Sequence, residues 1–257
     1  MTDDIFRLDG RTILVTGGAN GLGRMIAEAL LGAGARVLLT SRKDAETAAA
    51  ELSALGPCEG VNANLATPEA AVALAEEIRA RTDKLHVLIN NAGRTWGAPF
   101  DSYPDKAWAP VMTVNVHTPF ILARELKPLL QAAGKPDDPA RILNIGSIAG
   151  RGVHGLDAYA YSASKAALHH LTREIATELA PHNIAANVII PGWFPTDMTA
   201  FIRSDDDTHR KAIDNIPLKR FGTARDIGGT VIFLSSQASA YITGAEIALD
   251  GGVSGCR

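Results

Sequence analysis

Short apolar runs alternate along this chain with longer segments in which apolar residues recur every three or four positions. RTILVT (11–16), RVLLT (36–40), HVLINN (86–91), RILNIG (141–146) and NIAANVII (183–190) are short and almost uniformly apolar, which reads as strands buried on both faces. CEGVNAN around 58–64 and AEIALD at 245–250 add two more. Between them, RMIAEALLGAG reads as a helix stopped by Gly32 and Gly34. DAETAAAELSALG reads as a second helix with Asp44 as N-cap. TPEAAVALAEEIRART is a third, capped by Thr67 with Pro68 in its first position. Further helices fall at 105–132, interrupted at Pro119, at 158–180 and near 225–236. Strand and helix in strict alternation predict an α/β fold: a Rossmann-type doubly wound parallel sheet with helices on both faces. With no repeat or linker, residues 1–257 read as a single domain.

Such sheets bind ligands beyond the carboxyl ends of their strands. The polar and glycine-rich stretches TGGANGLG, TSRK, NNAG, GSIAG and PGWFPT all follow strands, so they converge on one site. At 46% hydrophobic and 21% charged residues the composition is that of a soluble globular protein. A net charge of -3 gives no electrostatic reason to expect nucleic acid or an anionic membrane. No apolar run reaches membrane-spanning length, and the acidic start MTDDIFRLDG lacks the character of a signal peptide, so a cytoplasmic protein is expected. Cys58 and Cys256 form no CxxC pair and the histidines no HExxH, so free thiols and no metal are expected.

The first strand runs into Gly17-Gly18-Ala19-Asn20-Gly21-Leu22-Gly23. Glycines there permit a tight turn and let a phosphate approach a helix N-terminus. The second strand ends not in an acid but in Ser41, Arg42 and Lys43. A guanidinium fork suits a 2′-phosphate, which favours NADP(H) over NAD. In AYAYSASKAAL, Tyr161 lies four residues before Lys165, about 40° away on a helix, whereas Tyr159 points about 120° away. Only Tyr161 can share a site with Lys165.

Together, TGGANGLG, NNAG, VNV with Asn115, NIGS with Ser147, YSASK and PGWFPT give the chain a close resemblance to the short-chain dehydrogenases/reductases over nearly its whole length. The resemblance implies that Ser147, Tyr161 and Lys165 are catalytic, with Asn115 as a fourth member ordering a water. It implies a cofactor held by Gly17, Asn20, Gly21, Leu22 and Gly23, by Ser41 and Arg42, and by Asn64 and Leu65. Asn91, Ala92 and Gly93, then Ile190, Pro191, Gly192 and Thr196, complete that set with Tyr161 and Lys165. Asn64 stands where many relatives carry Asp. Chemically, reduction of a ketone puts negative charge on its oxygen, which needs a donor and a proton. Lys165 is expected to lower the pKa of Tyr161, and Ser147 to donate to the same oxygen.

Within that superfamily, NNAGRTWGAPFDSYP, NIGSIAG and AYAYSASKAALHHL most resemble bacterial β-ketoacyl (3-oxoacyl) reductases, including the rhamnolipid-associated type. Trp193, Phe194, Met198, Phe201 and Ile202 form either an apolar substrate lid, within 193–215, or simply core. Trp96, Val153 and Leu156 extend the apolar set, while Arg94, Arg151 and His154 are the polar side chains within reach. A β-ketoacyl thioester carried by acyl carrier protein or CoA is the expected substrate. A sugar alcohol or steroid is the alternative, and a non-catalytic dinucleotide-binding redox sensor the alternative from another class. The resemblance further implies a homodimer or homotetramer built on 158–180 and AYITGAEIALDGGVSG. The stripe Leu168, Leu171, Ile175 and Leu179 fits that, although one buried face explains it equally.

Overall fold

In the computed structural model, which describes residues 5–196, 199 and 206–256, the apolar runs become parallel strands. They are β1 (Thr12–Val15), β2 (Arg36–Ser41), β3 (Cys58–Asn62), β4 (Val87–Asn90), β5 (Ala140–Ile145), β6 (Ile184–Pro191) and β7 (Glu246–Leu249). They form a seven-stranded sheet in the order β3-β2-β1-β4-β5-β6-β7. Crossing the chain back over the sheet are α1 (Gly21–Gly32), α2 (Ala45–Leu52), α3 (Pro68–Arg79), α4 (Trp108–Met112), α5 (Thr118–Ala133), α6 (Tyr159–Leu179), α7 (Asp206–Asp214) and α8 (Ala224–Ser235).

Side chains alternate across the pleat, so β1 feeds two cores at once. Ile13 and Val15 enter the layer shared with α1, α2 and α8, whereas Leu14 enters the layer of α3, α5 and α6. Each such side chain, fully buried, contributes about 1.5–3 kcal/mol relative to exposure. This explains why the strands lack polar alternation. β1 pairs with β2 on one side and β4 on the other, through Ile13 to Val37 and Ile13 to Val87. Strand order therefore reverses between β1 and β4, opening a crevice at their carboxyl ends.

Three local expectations change. Asp44 precedes α2 but makes no capping bond. The first N–H of α2 is instead accepted by Asn62 Oδ1 at 3.0 Å, from the end of β3, which leaves the Asp44 carboxylate for other partners. The interruption expected at Pro119 is a π turn just before it, Thr113–His117. A wider turn accommodates the N–H that proline lacks without breaking the helical path. Finally, Leu168, Ile175 and Leu179 are 1%, 6% and 6% exposed, so most of the α6 stripe is consumed by the protein's own sheet. Thr67 does cap α3, accepting from Ala70 N at 3.3 Å.

Candidate active site

The turn after β1 needs its glycines. Gly17 and Gly21 adopt φ of +65° and +53°, and a Cβ on Gly23 would lie 2.0 Å from the Gly17 carbonyl oxygen. Thr16, at the strand end, fixes this turn to the loop after β4: its Oγ1 accepts from the N–H groups of Asn91 and Ala92, each at 3.0 Å. Asn91 Nδ2 returns to the carbonyls of Thr16 and Gly17 at 2.9 and 3.0 Å. The N-terminus of α1, from Gly21 through Leu22 and Gly23, opens beside them with no side-chain cap from Asn20. Side chains at Gly17 or Gly23 would clash with Asn91 and the turn's own backbone, so the glycines let the turn close tightly against the loop after β4, and the free N–H groups and dipole at the start of α1 suit a phosphate. Thr196 reaches the same turn from beyond β6, 3.5 Å from where a Gly21 Cβ would stand. Pro191 ends β6, and Gly192 packs so closely on Asp250 that a Cβ would come within 2.8 Å of its Cα.

The end of β2 holds a feature absent from the sequence reading. Asp44 accepts from the Ser41 hydroxyl and, at 3.1 Å, from Asn20 Nδ2. The Ser41 bond first, then the Asn20 bond, holds this carboxyl below its usual range. Arg42 adds a smaller Coulomb contribution in the same direction, so cation and carboxylate share the spot where a 2′-phosphate would go. Beyond β3, Asn64 is exposed and Leu65 is buried, with its carbonyl accepting from Thr118 Oγ1 at 3.3 Å.

Across the crevice, Tyr161, Lys165, Ser147 and Asn115 come together. Ser147 follows β5, and its hydroxyl lies near enough to Tyr161 to pull the phenol pKa down. Lys165 is 4% exposed; its Nζ donates to the Ile145 carbonyl at 2.6 Å and stands 5.7 Å from the centre of the Tyr161 ring. A Cβ on Gly93 would come within 3.7 Å of Asn115 Oδ1 and 3.9 Å of Lys165 Nζ, so Gly93 keeps this corner open. Asn115 sits in the π turn, 1% exposed. Its Oδ1 accepts from Arg94 N at 2.8 Å, and its Nδ2 donates to Arg94 O at 2.9 Å and Ser164 Oγ at 2.8 Å. Ser164 passes the contact on to the Tyr161 carbonyl at 2.7 Å. The Asn115 amide thus braces the loop after β4 against α6. Sequence reasoning missed Ser164, although its place three residues after Tyr161 put it on that face.

The pKa of Tyr161 departs from expectation. Burial raises it above the ordinary phenol value, with the nearby Ser147 hydroxyl pulling the other way. Lys165 contributes no lowering; its own burial brings its ammonium down to about 8. At neutral pH the tyrosine is therefore neutral, which suits a proton donor. Tyr159 is directed elsewhere: its hydroxyl donates to Asp157 Oδ1 at 3.4 Å, and its ring packs edge-on against Phe100 and Tyr103.

Around the mouth, Phe194 is 3% exposed beneath Gly222 and belongs to the core, and Trp193 is half-buried against Ile148, Val188 and Ile190. Met198, Phe201 and Ile202 lie outside the described residues. Arg151 is bonded to Glu246 Oε2 at 3.1 Å and Ser254 Oγ at 3.3 Å, and His154 Nε2 to the Ile148 carbonyl at 3.2 Å. Among the described residues no cluster of His, Cys, Asp and Glu could hold a metal, no helix is long and apolar enough to cross a membrane, and both cysteines are free.

A doubly wound sheet whose switch-point crevice pairs a glycine turn with a neighbouring serine and tyrosine and a buried lysine defines an oxidoreductase of CH-OH and C=O groups. The chain belongs to the short-chain dehydrogenase/reductase superfamily, residues 17–254 matching the family model described as enoyl-(acyl carrier protein) reductase. It is 44% identical over 250 residues to the rhamnolipids biosynthesis 3-oxoacyl-[acyl-carrier-protein] reductase of Pseudomonas aeruginosa, covering 96% of this chain and 97% of the relative. It is 36% identical to the 2-dehydro-3-deoxy-D-gluconate 5-dehydrogenase of Bacillus subtilis, over 97% and 96% of the two chains. The solved Pseudomonas aeruginosa RhlG/NADP active-site complex superposes with a TM-score of 0.94 at 42% identity, covering 97% of this chain and 98% of that one.

A lysine shifted down to about 8 has a stated effect on stability. Between that value and the ordinary lysine range near ~10.4 the unfolded chain holds a proton that the folded one has lost, so raising the pH favours folding. Wild type should therefore gain on Lys165→Met by roughly 1–3 kcal/mol between pH 7 and pH 10, read as the difference in urea unfolding free energies. A pH-independent difference would show that the ammonium is not perturbed by burial.

Proposed function

We propose that the protein is an NADP(H)-dependent reductase of β-ketoacyl thioesters, with Ser147, Tyr161 and Lys165 as its catalytic residues. The observation that carries this reading is the buried Lys165 ammonium beneath the Tyr161 ring, with the Ser147 hydroxyl near enough to pull the tyrosine pKa down. NADPH bound along the glycine turn supplies a hydride to the keto carbon. Tyr161 delivers a proton to the keto oxygen, Ser147 donates a hydrogen bond to the charge developing there, and Lys165 supplies positive charge close by. Asn115 holds the Tyr161 end of α6 in place and orders the water that returns the proton. Gly17, Asn20, Gly21, Leu22 and Gly23 hold the pyrophosphate, Arg42 and Ser41 the 2′-phosphate, and Asn64 and Leu65 the adenine side. Asn91, Ala92, Gly93, Pro191, Gly192 and Thr196 enclose the nicotinamide half.

The relatives' names support an acyl thioester delivered by acyl carrier protein or CoA. So does the engagement of Arg151 and His154 with the protein itself, because a sugar acid needs polar partners and burying unpaired hydroxyls is costly. Exposed Trp96 and Val153 are apolar surface beside the same mouth. The sugar-alcohol alternative keeps the support of a 36% identical galactitol 2-dehydrogenase and of three 2-dehydro-3-deoxy-D-gluconate 5-dehydrogenases at 32–36% identity. The protein is cytoplasmic and forms a homodimer or homotetramer; Met112, Val116 and Phe120 with Leu171 offer an apolar face for the contact.

Three outcomes test the reading. NADPH oxidation should be fast with acetoacetyl-CoA and longer β-ketoacyl-CoA and slow with an enoyl-CoA, and NADP+ reduction should be slow with a polyol. Preference for either of the latter overturns the substrate assignment. Tyr161→Phe should lower kcat by orders of magnitude with the fold retained by circular dichroism, while Tyr159→Phe stays active; equal losses would refute the division between them. Arg42→Ala should weaken NADPH binding roughly tenfold to a hundredfold and leave NADH little changed, as fluorescence titration would read. A wild-type preference for NADH would sink the cofactor choice.

A further inference from the structure

Tyr161, Lys165 and His169 follow one another at intervals of four residues and so form one stripe on α6. The first two belong to the proposed reaction, but the third has no part in it. His169 is 3% exposed, and its Nε2 accepts the backbone N–H of Ser147 at 3.3 Å. The backbone on both sides of Ser147 closes on the same ring. A Cβ on Gly146 would lie 2.3 Å from Nε2, and one on Gly150 would lie 2.9 Å from Cε1. The imidazole is therefore packed into the hollow of the turn that presents the Ser147 hydroxyl. Ala149 N donates to that hydroxyl at 3.1 Å from within the same turn.

We propose that His169 is a positioning residue for the reduction, its neutral ring accepting the Ser147 N–H and setting the turn that aims the serine hydroxyl at Tyr161. The inference rests on the roles given above to Ser147 and Tyr161. Acceptance at Nε2 requires the lone pair there, so the neutral ring carries its proton on Nδ1. A protonated ring would point an N–H at the Ser147 N–H, two donors face to face. The surroundings keep that form away. Lys165 and Arg173 on α6 and Arg151 after the turn oppose a positive ring, and Glu246 on β7 alone favours one. Glu246 is itself held by Arg151 and by Arg173, at 3.1 and 2.5 Å. Burial is the largest effect, and the ring titrates at about 4. Ordinary core packing would need neither the acceptor nor its tautomer, and that is where the two readings part.

His169→Leu keeps the bulk and removes the acceptor; His169→Gln puts an amide oxygen near the place of Nε2. With acetoacetyl-CoA, His169→Leu should lose roughly tenfold to a hundredfold in kcat, as for a hydroxyl misplaced by a fraction of its bond length. The NADPH dissociation constant should stay within about twofold, since the glycine turn is untouched. The tyrosine limb of its pH–rate profile should move to higher pH, because a displaced Ser147 no longer lowers Tyr161. His169→Gln should recover most of the rate and the wild-type limb. A wild-type rate in the leucine variant overturns the proposal, and so do equal losses in both variants with an unmoved profile. Nitrogen-15 NMR of histidine-labelled wild type needs neither variant nor substrate: a neutral Nδ1–H ring from pH 8 to 5 supports the proposal. A proton on Nε2, or titration near the free-histidine value, overturns it. Failure of the thioester reading would appear separately, as absent turnover in the wild type.

Discussion

The bond from Lys165 Nζ to the Ile145 carbonyl, 2.6 Å long and shut away from water, is the contact on which the geometry of the reacting half depends. It joins the middle of α6 to the last residue of β5. A buried ammonium is costly unless it is bonded, so α6 cannot slide along the sheet without leaving the charge unpaired. With that register fixed, the helical repeat does the rest. Tyr161, one turn earlier, meets Ser147 beyond the strand end, and His169, one turn later, lies behind the serine's backbone. Such close approach works only because Gly146 and Gly150 carry no side chains. The same burial that makes the lysine a strained cation leaves the tyrosine protonated, ready to give a proton rather than take one.

The cofactor half is organised by a different device, a polar junction in which each group has a partner. Thr16 and Asn91 lock the carboxyl ends of β1 and β4 to each other through four hydrogen bonds. The glycine turn is thereby set as a rigid cradle instead of a mobile loop, and binding need not bear the cost of ordering it. At the adenosine end the design is less single-minded. Asp44 brings a carboxylate into contact with Ser41, at the end of β2, and with Asn20 of the glycine turn. Under the proposed cofactor assignment, discrimination between the two dinucleotides would be a balance between Arg42 and Asp44, not the work of the arginine alone.

Much of this was legible in the chain. The strands could be read because a parallel sheet covered on both faces demands nearly continuous apolar runs, a pattern no surface helix shows. Order along the sequence placed the glycine turn, TSRK, NNAG, GSIAG with Ser147 and PGWFPT at strand ends, and the doubly wound topology brings those ends together. The choice of Tyr161 over Tyr159 needed only the helical repeat, and Tyr159 indeed turns to Asp157, Phe100 and Tyr103.

What the sequence could not supply were the contacts between residues far apart in it. Asp44 reads as an N-cap because Asp commonly caps, but the N–H it would satisfy is taken by Asn62, from a strand whose register relative to α2 only the fold sets. Phe194 reads equally as lid or core until Gly222, 28 positions on, is seen closing over its ring. Likewise His169 is an unremarkable helix residue until Ser147, 22 positions earlier, turns its N–H toward it. Composition and periodicity report which face of an element is buried, since hydrophobic burial is non-directional and repeats with the element. Hydrogen bonds and pKa shifts depend on direction and distance between specific atoms, and those exist only once the sheet has fixed every element against its neighbours.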